Sequence, residues 1–359
     1  VNAFIILGKY YYLHNKRPDL VLKYFTKAVD LNVNVENELP SLGYIYEQGI
    51  GIPRDYLKAK SIYENAVSLN IDDSFILIGN LYFYGKGVEK DYKEAQKWYE
   101  KTCTKDPYSQ FNLAYLYLND YIEDKNYSNA KKYLEMSALG DLSYACLCLA
   151  NLLYNGEKGF QKNCSQAILY YKQSAKLKNK EAFYFLGKIY SNDDDVVDID
   201  ITKSIEYFQT CFEMFENQEK PYDIYDDSLL LMHEISACHY VSANDLGLIY
   251  LIYKNNIKNA KTYLSVSGCY EYSFGQNNFG LFNQYYLNNT GEAEYFYKKA
   301  SKNKFPLAEY NLGYLKETIG TIDDAIHYYI NASSHEDEPL IFKGQIISDK
   351  KLEISKSFI

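Results

Sequence analysis

Residues 78–102 read IGNLYFYGKGVEKDYKEAQKWYEKT, and nearly every part of this stretch recurs along the chain. Ile78, Leu81, Tyr82 and Tyr84 keep a helical rather than a strand spacing, and Gly85 and Gly87 close the run. In the second run, Ala95, Tyr99 and Thr102 stand at i, i+4 and i+7. A small residue, an aromatic and another small residue therefore share one helix face.

The same stripe returns at Val21, Phe25, Ala28; at Ala59, Tyr63, Ala66; at Ala130, Leu134, Ser137; and at Ala167, Tyr171, Ser174. It continues at Ser204, Phe208, Cys211; at Ala260, Leu264, Ser267; at Ala293, Tyr297, Ala300; and at Ala325, Tyr329, Ala332. Four residues before each first member, except in the first copy, stands Asp55, Asp91, Asn126, Asn163, Asp200, Asn256, Asn289 or Thr321. Such side chains accept hydrogen bonds from the free N–H groups of a helix start, so each second helix is expected to be capped. The first copy has Arg17 there, followed by Pro18, which suits a first helical turn.

Each first helix carries a small marker: Gly8, Gly43, Gly79, Ala114, Ala150, Gly187, Gly247, Gly280 or Gly313. From marker to stripe the interval is 16 or 17 residues for the copies beginning at Gly43 through Gly187, but 12 or 13 for those at Gly8, Gly247, Gly280 and Gly313. The central copies thus carry a longer turn. A repeat of this size makes 359 residues one elongated array instead of several ordinary domains, with each helix pair leaning on its neighbours.

The copies LGYIYEQGIGIPRDYLKAKSIYENAV (42–67), residues 78–102 and LANLLYNGEKGFQKNCSQAILYYKQSA (149–175) resemble the Sel-one-like repeat (SLR) family, a branch of the tetratricopeptide superfamily. The tight-turn copies are closer to ordinary tetratricopeptide spacing, and Asn283 and Lys316 replace the usual Tyr. The resemblance implies an all-α, right-handed α/α superhelical solenoid of about nine helix pairs, with the first helices lining a concave surface. Between Phe212 and Asn244 the rhythm breaks. The expected division is repeats at 1–212, an irregular insert or worn copy at 213–243 with a helix over Ser228 to Tyr240, repeats at 244–338 and a capping helix at 339–359.

Composition is globular, at 47% hydrophobic and 24% charged. A net charge of −9 argues against a nucleic-acid partner, which would call for a basic face. No run approaches the ~20 apolar residues of a membrane span. The opening VNAFIILGKYYYL lacks a basic leader and holds the first marker, so it reads as a packed helix in a cytoplasmic protein. The start at Val1 leaves a removed leader and a lumenal or secreted setting open. Seven cysteines without regular spacing read as small buried hydrophobes. The 41 tyrosines are explained by codon bias or by selected contact chemistry.

Catalytic constellations are not found. The Gly49/Gly51 and Gly85/Gly87 pairs follow helices rather than strands, and Arg54 or Lys90 stands where the next phosphate-loop Gly belongs. His233 and Glu234 begin a zinc-protease pattern that fails at Ala237. Asp193, Asp194, Asp195, Asp198 and Asp200 could hold a cation in one long turn, but the Gly and terminal Glu of a calcium loop are absent. Four glycosylation sequons, at Asn126, Asn163, Asn288 and Asn331, would matter only in a lumenal setting.

The remaining candidate is the inner lane. In the tetratricopeptide pattern, positions three before, one after and four after the marker face the groove. The lane then contains Tyr44, Ile76, Asn80, Phe83, Phe111, Tyr115, Asn151, Tyr154, Tyr184, Lys188, Tyr310 and Tyr314, with Glu47, Leu118 and Leu147 at equivalent positions. Amides can pair with an extended peptide backbone, and Tyr adds rigid contact area with a polar tip. Each of these could instead pack against the neighbouring copy. Chaperone-tail binders of the superfamily use a Lys three before the marker, and no copy has one, so a carboxylate clamp is not expected. The reading is a non-catalytic adaptor for a protein or peptide, without cofactor or metal and with its oligomeric state open. An enzyme or metal-dependent regulator using the 193–200 turn or the 213–243 insert is one alternative, and a lumenal quality-control adaptor is another.

Overall fold

A computed structural model describes residues 39–50, 52–122, 126–191, 197–216 and 238–333, with scattered helical positions between 8 and 27. Among the described residues every regular element is a helix. In order they are α1 Leu39–Gln48, α2 Tyr56–Ser68, α3 Asp72–Tyr84, α4 Tyr92–Glu100, α5 Pro107–Leu118, α6 Tyr127–Leu139, α7 Ser143–Asn155 and α8 Cys164–Lys176. Then follow α9 Lys180–Ser191, α10 Ile201–Glu216, α11 Cys238–Ile252, α12 Ile257–Cys269, α13 Ser273–Tyr285, α14 Thr290–Lys302, α15 Pro306–Thr318 and α16 Ile322–Ser333. Odd helices are the first members of pairs and even helices the second. The chain is an all-α repeat solenoid.

One contact is repeated in pair after pair. The middle residue of the stripe is buried in every copy from Tyr63 to Tyr297, with Tyr63, Tyr99 and Tyr297 at 0% exposure, and half-buried at Tyr329. Its ring lies on the marker glycine of its own pair: Tyr63 on Gly43, Tyr99 on Gly79, Phe208 on Gly187, Tyr297 on Gly280 and Tyr329 on Gly313. A Cβ at Gly280 would come within 2.6 Å of the Tyr297 ring, so glycine is required there by space and not by backbone angle. Leu264 fills the same seat on Gly247.

The caps form as their side chains dictate. Asp55, Asp91, Asn126, Asn163, Asp200, Asn256 and Asn289 each accept a hydrogen bond from the backbone N–H three residues on. Thr321 departs, since its hydroxyl donates to the Lys316 carbonyl instead. A second bond fixes where the cap sits. The backbone N–H of Asp55, Asp91, Asn163, Asp200, Asn256, Asn289 and Thr321 donates to the carbonyl of Tyr46, Tyr82, Leu153, Tyr190, Tyr250, Asn283 and Lys316 respectively. In every case that carbonyl is three residues past the marker. Long and tight turns therefore begin and end at the same place, and the long turn carries its extra residues between those two points. In the long turn, Gly85 and Gly87 take positive φ (72° and 68°), and Gly87 comes within contact of Tyr56 in the preceding pair.

The chain separates into two compact units, one ending at Ala182 and one beginning at Phe183, so the division falls inside α9. That is earlier than the expected boundary after residue 212: most of α9, from Phe183, and all of α10 group with the helices that follow. The expected insert also shortens: 213–216 complete α10, while Cys238 opens α11, a regular first helix. The rest of the expected 228–240 helix, the expected cap at 339–359 and Asp193 to Asp195 lie outside the described residues.

Candidate protein-interaction surface

In the first unit the stripe tyrosines determine what is left for binding. The Tyr99 phenol donates to Asn80 Oδ1 at 2.7 Å, and Asn112 Nδ2 of the next pair reaches the same oxygen at 3.3 Å. The Tyr171 phenol donates to Asn151 Oδ1 at 2.6 Å, and that of Tyr63 to Glu47 Oε2 at 3.0 Å. Burial pushes the Tyr99 phenol well above 10.0, so it stays a proton donor. The amides expected to meet a peptide backbone are therefore engaged with the array's own tyrosines.

Burial sorts the other lane residues. Tyr44, Ile76, Asn80, Phe83 and Phe111 are interior, as are Glu47, Leu118 and Leu147. Positions on a first helix are shared between its own partner helix and the next pair, and these side chains fill that seam. Tyr115, Asn151 and Tyr154 are half-buried.

What the first unit leaves half-buried is a ledge of rings over Phe83. Its ring meets Tyr84 at 4.9 Å, Tyr92 at 5.2 Å, Tyr121 at 5.3 Å and Tyr115 at 6.2 Å between centroids. Tyr92 and Tyr121 lie 4.6 Å apart. Cations border them, with Lys86 over Tyr84 and Lys90 over Tyr92, both at 4.9 Å. Lys86 also pairs with the buried Glu47 carboxylate at 2.8 Å. Two lane residues meet here, with Phe83 buried at the centre and Tyr115 beside it. Tyr92 and Tyr121 are outside the lane rule, although one signal was available: Tyr56, Tyr92 and Tyr127 all follow the cap directly.

In the second unit Tyr184 is half-buried against Phe208, with centroids 5.7 Å apart. Lys188 lies 3.9 Å from Asp245, whose carboxyl is pushed up by burial while the lysine opposes the rise. Tyr314 is 40% exposed, beside Tyr285, whose phenol burial and Tyr314 raise to about 12. Tyr310 is half-buried against Tyr329, at 5.5 Å.

The Sel1 repeat pattern matches residues 41–71, 76–106, 107–142, 143–179, 181–210, 263–305 and 306–337, well over half of the chain. The chain belongs to the Sel1 repeat family. Residues 211–262 fall between matched stretches, although α11 and α12 form a pair like the others. Among solved structures the Sel1 array is similar to c5321, a protective antigen of uropathogenic Escherichia coli with an SLR fold. There the identity is 19%, the TM-score is 0.61, and the match covers 99% of this chain and 75% of that one. It is also similar to a Sel1 repeat protein from Oxalobacter formigenes, at 23% identity and TM-score 0.56, covering 72% of this chain and 97% of that one. No curated protein matches by sequence.

Nothing in the Sel1 array assembles into a reaction centre among the described residues. No three metal-ligating side chains converge there, and Asp200 is committed as a cap that also pairs with Lys203 at 2.8 Å. Burial raises the Cys146 thiol to about 11 and the Cys148 thiol to about 12, far from nucleophilic at neutral pH. No described helix is long and apolar enough to cross a membrane.

Proposed function

We propose that this Sel1 repeat protein is a non-catalytic adaptor that holds a partner protein or peptide, and that the ring ledge of the first unit is its principal contact. Sel1 repeats are in general interaction modules, and no catalytic family is indicated. The observation carrying the reading is the half-buried group Tyr84, Tyr92, Tyr115 and Tyr121 around Phe83, bordered by Lys86 and Lys90. Rigid aromatic area rimmed by charge is the composition of an interface centre. A partner with apolar or aromatic side chains and flanking carboxylates fits it. Asn151, Tyr154, Tyr184, Lys188, Tyr310 and Tyr314 remain secondary candidates, each within its own unit. A reducing, cytoplasmic setting belongs to the same proposal.

Proximity labelling in cells with the wild-type chain and with Tyr92→Ala/Tyr115→Ala/Tyr121→Ala, matched for expression and helical content, tests it. Partners enriched by the wild type should be lost from the triple variant. An identical partner set would remove the ledge from the proposal.

A further inference from the structure

In α2, α4, α10 and α14 the residue one after the stripe's first member meets the following pair, and in α10 the residue five after it does so as well. Lys60 of α2 lies over the Tyr82 ring of α3, at 5.8 Å. Gln96 of α4 donates to the Tyr117 hydroxyl of α5 at 3.4 Å. Ile205 of α10 joins a core with Ala243, Leu246 and Ile249 of α11, and Gln209 donates to the Tyr250 hydroxyl at 3.0 Å. Glu294 of α14 pairs with Lys316 of α15 at 2.8 Å. The residue three before the stripe lies on the same forward side, since Gly87 of the next turn sits against Tyr56.

In α16 those three positions are Ile322, Ile326 and Ile330, at 53%, 51% and 60% exposure, and Ile319 just before them is 50% exposed. The final described helix thus presents an apolar forward face where nearly every earlier copy places a polar or charged side chain at the position of Ile330. We infer that this face is a docking seat, and that its occupant is the chain's own segment 339–359.

Two arguments select that occupant. The three half-exposed isoleucines of this face offer on the order of 300 Å² of apolar surface, whereas a stable dimer buries about 800 Å² per partner. A segment tethered a few residues beyond Ser333 needs far less area, because its effective concentration is roughly millimolar. The segment also has suitable chemistry. Leu340, Ile347, Ile354 and Phe358 recur at helical spacing, and Lys343, Lys350, Lys351 and Lys356 outnumber Asp349 and Glu353, complementing the exposed Asp323 and Asp324 of α16.

Hydrogen exchange on the full chain tests the inference, comparing wild type with Ile326→Lys/Ile330→Lys and, separately, with Ile347→Lys/Ile354→Lys. Both substituted α16 positions are exposed, so helical content should be unchanged by circular dichroism. The expected result is protection of residues 339–359 in a monomeric wild type, with exchange there about tenfold faster in either variant. Unprotected 339–359 in the wild type, or protection indifferent to both variants, overturns the inference. A wild-type dimer that Ile326→Lys/Ile330→Lys dissociates also overturns it, by assigning the seat to a second copy.

Discussion

Tyr99 and Asn80 are joined across the two helices of one pair by a 2.7 Å hydrogen bond, and the same Asn80 oxygen is held by Asn112 of the next pair. One buried carbonyl therefore ties three helices together.

The two partners should respond unequally to substitution. Tyr99→Phe removes one donor but leaves Asn80 bonded to Asn112, and should cost about 1 kcal/mol. Asn80→Ala strands the buried Tyr99 phenol and also removes the oxygen that Asn112 reaches, and should cost about 2–3 kcal/mol. Urea unfolding of the two variants measures the difference, and equal losses would contradict the shared acceptor.

The glycine seat predicts a size effect. Gly79→Ala places a methyl against the Tyr99 ring and should destabilise by about 1–3 kcal/mol, despite alanine's better helix propensity. Ala114 with Leu134 is the pairing that the array uses elsewhere. Gly79→Ala/Tyr99→Leu should therefore lose less than the sum of its single substitutions. A double-mutant cycle by thermal unfolding would show this as a coupling of about 1 kcal/mol.

Glu294 gives the second unit a dependence on pH. Hydrogen bonds from Lys298 and Lys316 hold its carboxyl below the ordinary 4.5. A carboxylate with a lowered folded pKa contributes stability that is present above about 4.5 and is lost as pH falls through the folded value. Solvent screens this partly exposed group, so the contribution is under about 1 kcal/mol. Glu294→Gln should be less stable than wild type near neutral pH, and the two should converge in acid.

Thiol chemistry should be selective. Cys269 is exposed, while Cys146 and Cys148 have thiols raised to about 11 and about 12. With a thiol reagent under native conditions near pH 8, Cys269 should be modified first. Cys146 and Cys148 should react only after denaturant is added, which peptide mapping by mass spectrometry can follow.

Much of the fold could be read from the sequence because its determinants are local. Stripe, marker and cap lie within a few turns of one another, and seven of the eight proposed caps bond as their side chains require. Thr321 failed because a hydroxyl has a second choice, a nearby carbonyl. The binding lane was harder to read. Whether Phe83 or Asn80 faces solvent depends on the rings of α4, α5 and the turn after α5, which no spacing within a single copy reveals. Tyr121 in particular follows a turn instead of occupying a periodic position, so its place on the ledge emerges only in three dimensions.

The stripe tyrosine does not always bond the same partner. Tyr99 and Tyr171 use an amide one residue past the marker, whereas Tyr63, Tyr297 and Tyr329 use Glu47, Gln284 and Glu317, four past it. These two positions lie about one helical turn apart, within reach of a single phenol. A copy can thus gain a new acceptor before surrendering the old one. Sequence drift in such an array need never pass through a form with a stranded hydroxyl, so pairs as unlike as α3/α4 and α15/α16 can diverge freely while keeping the same joint.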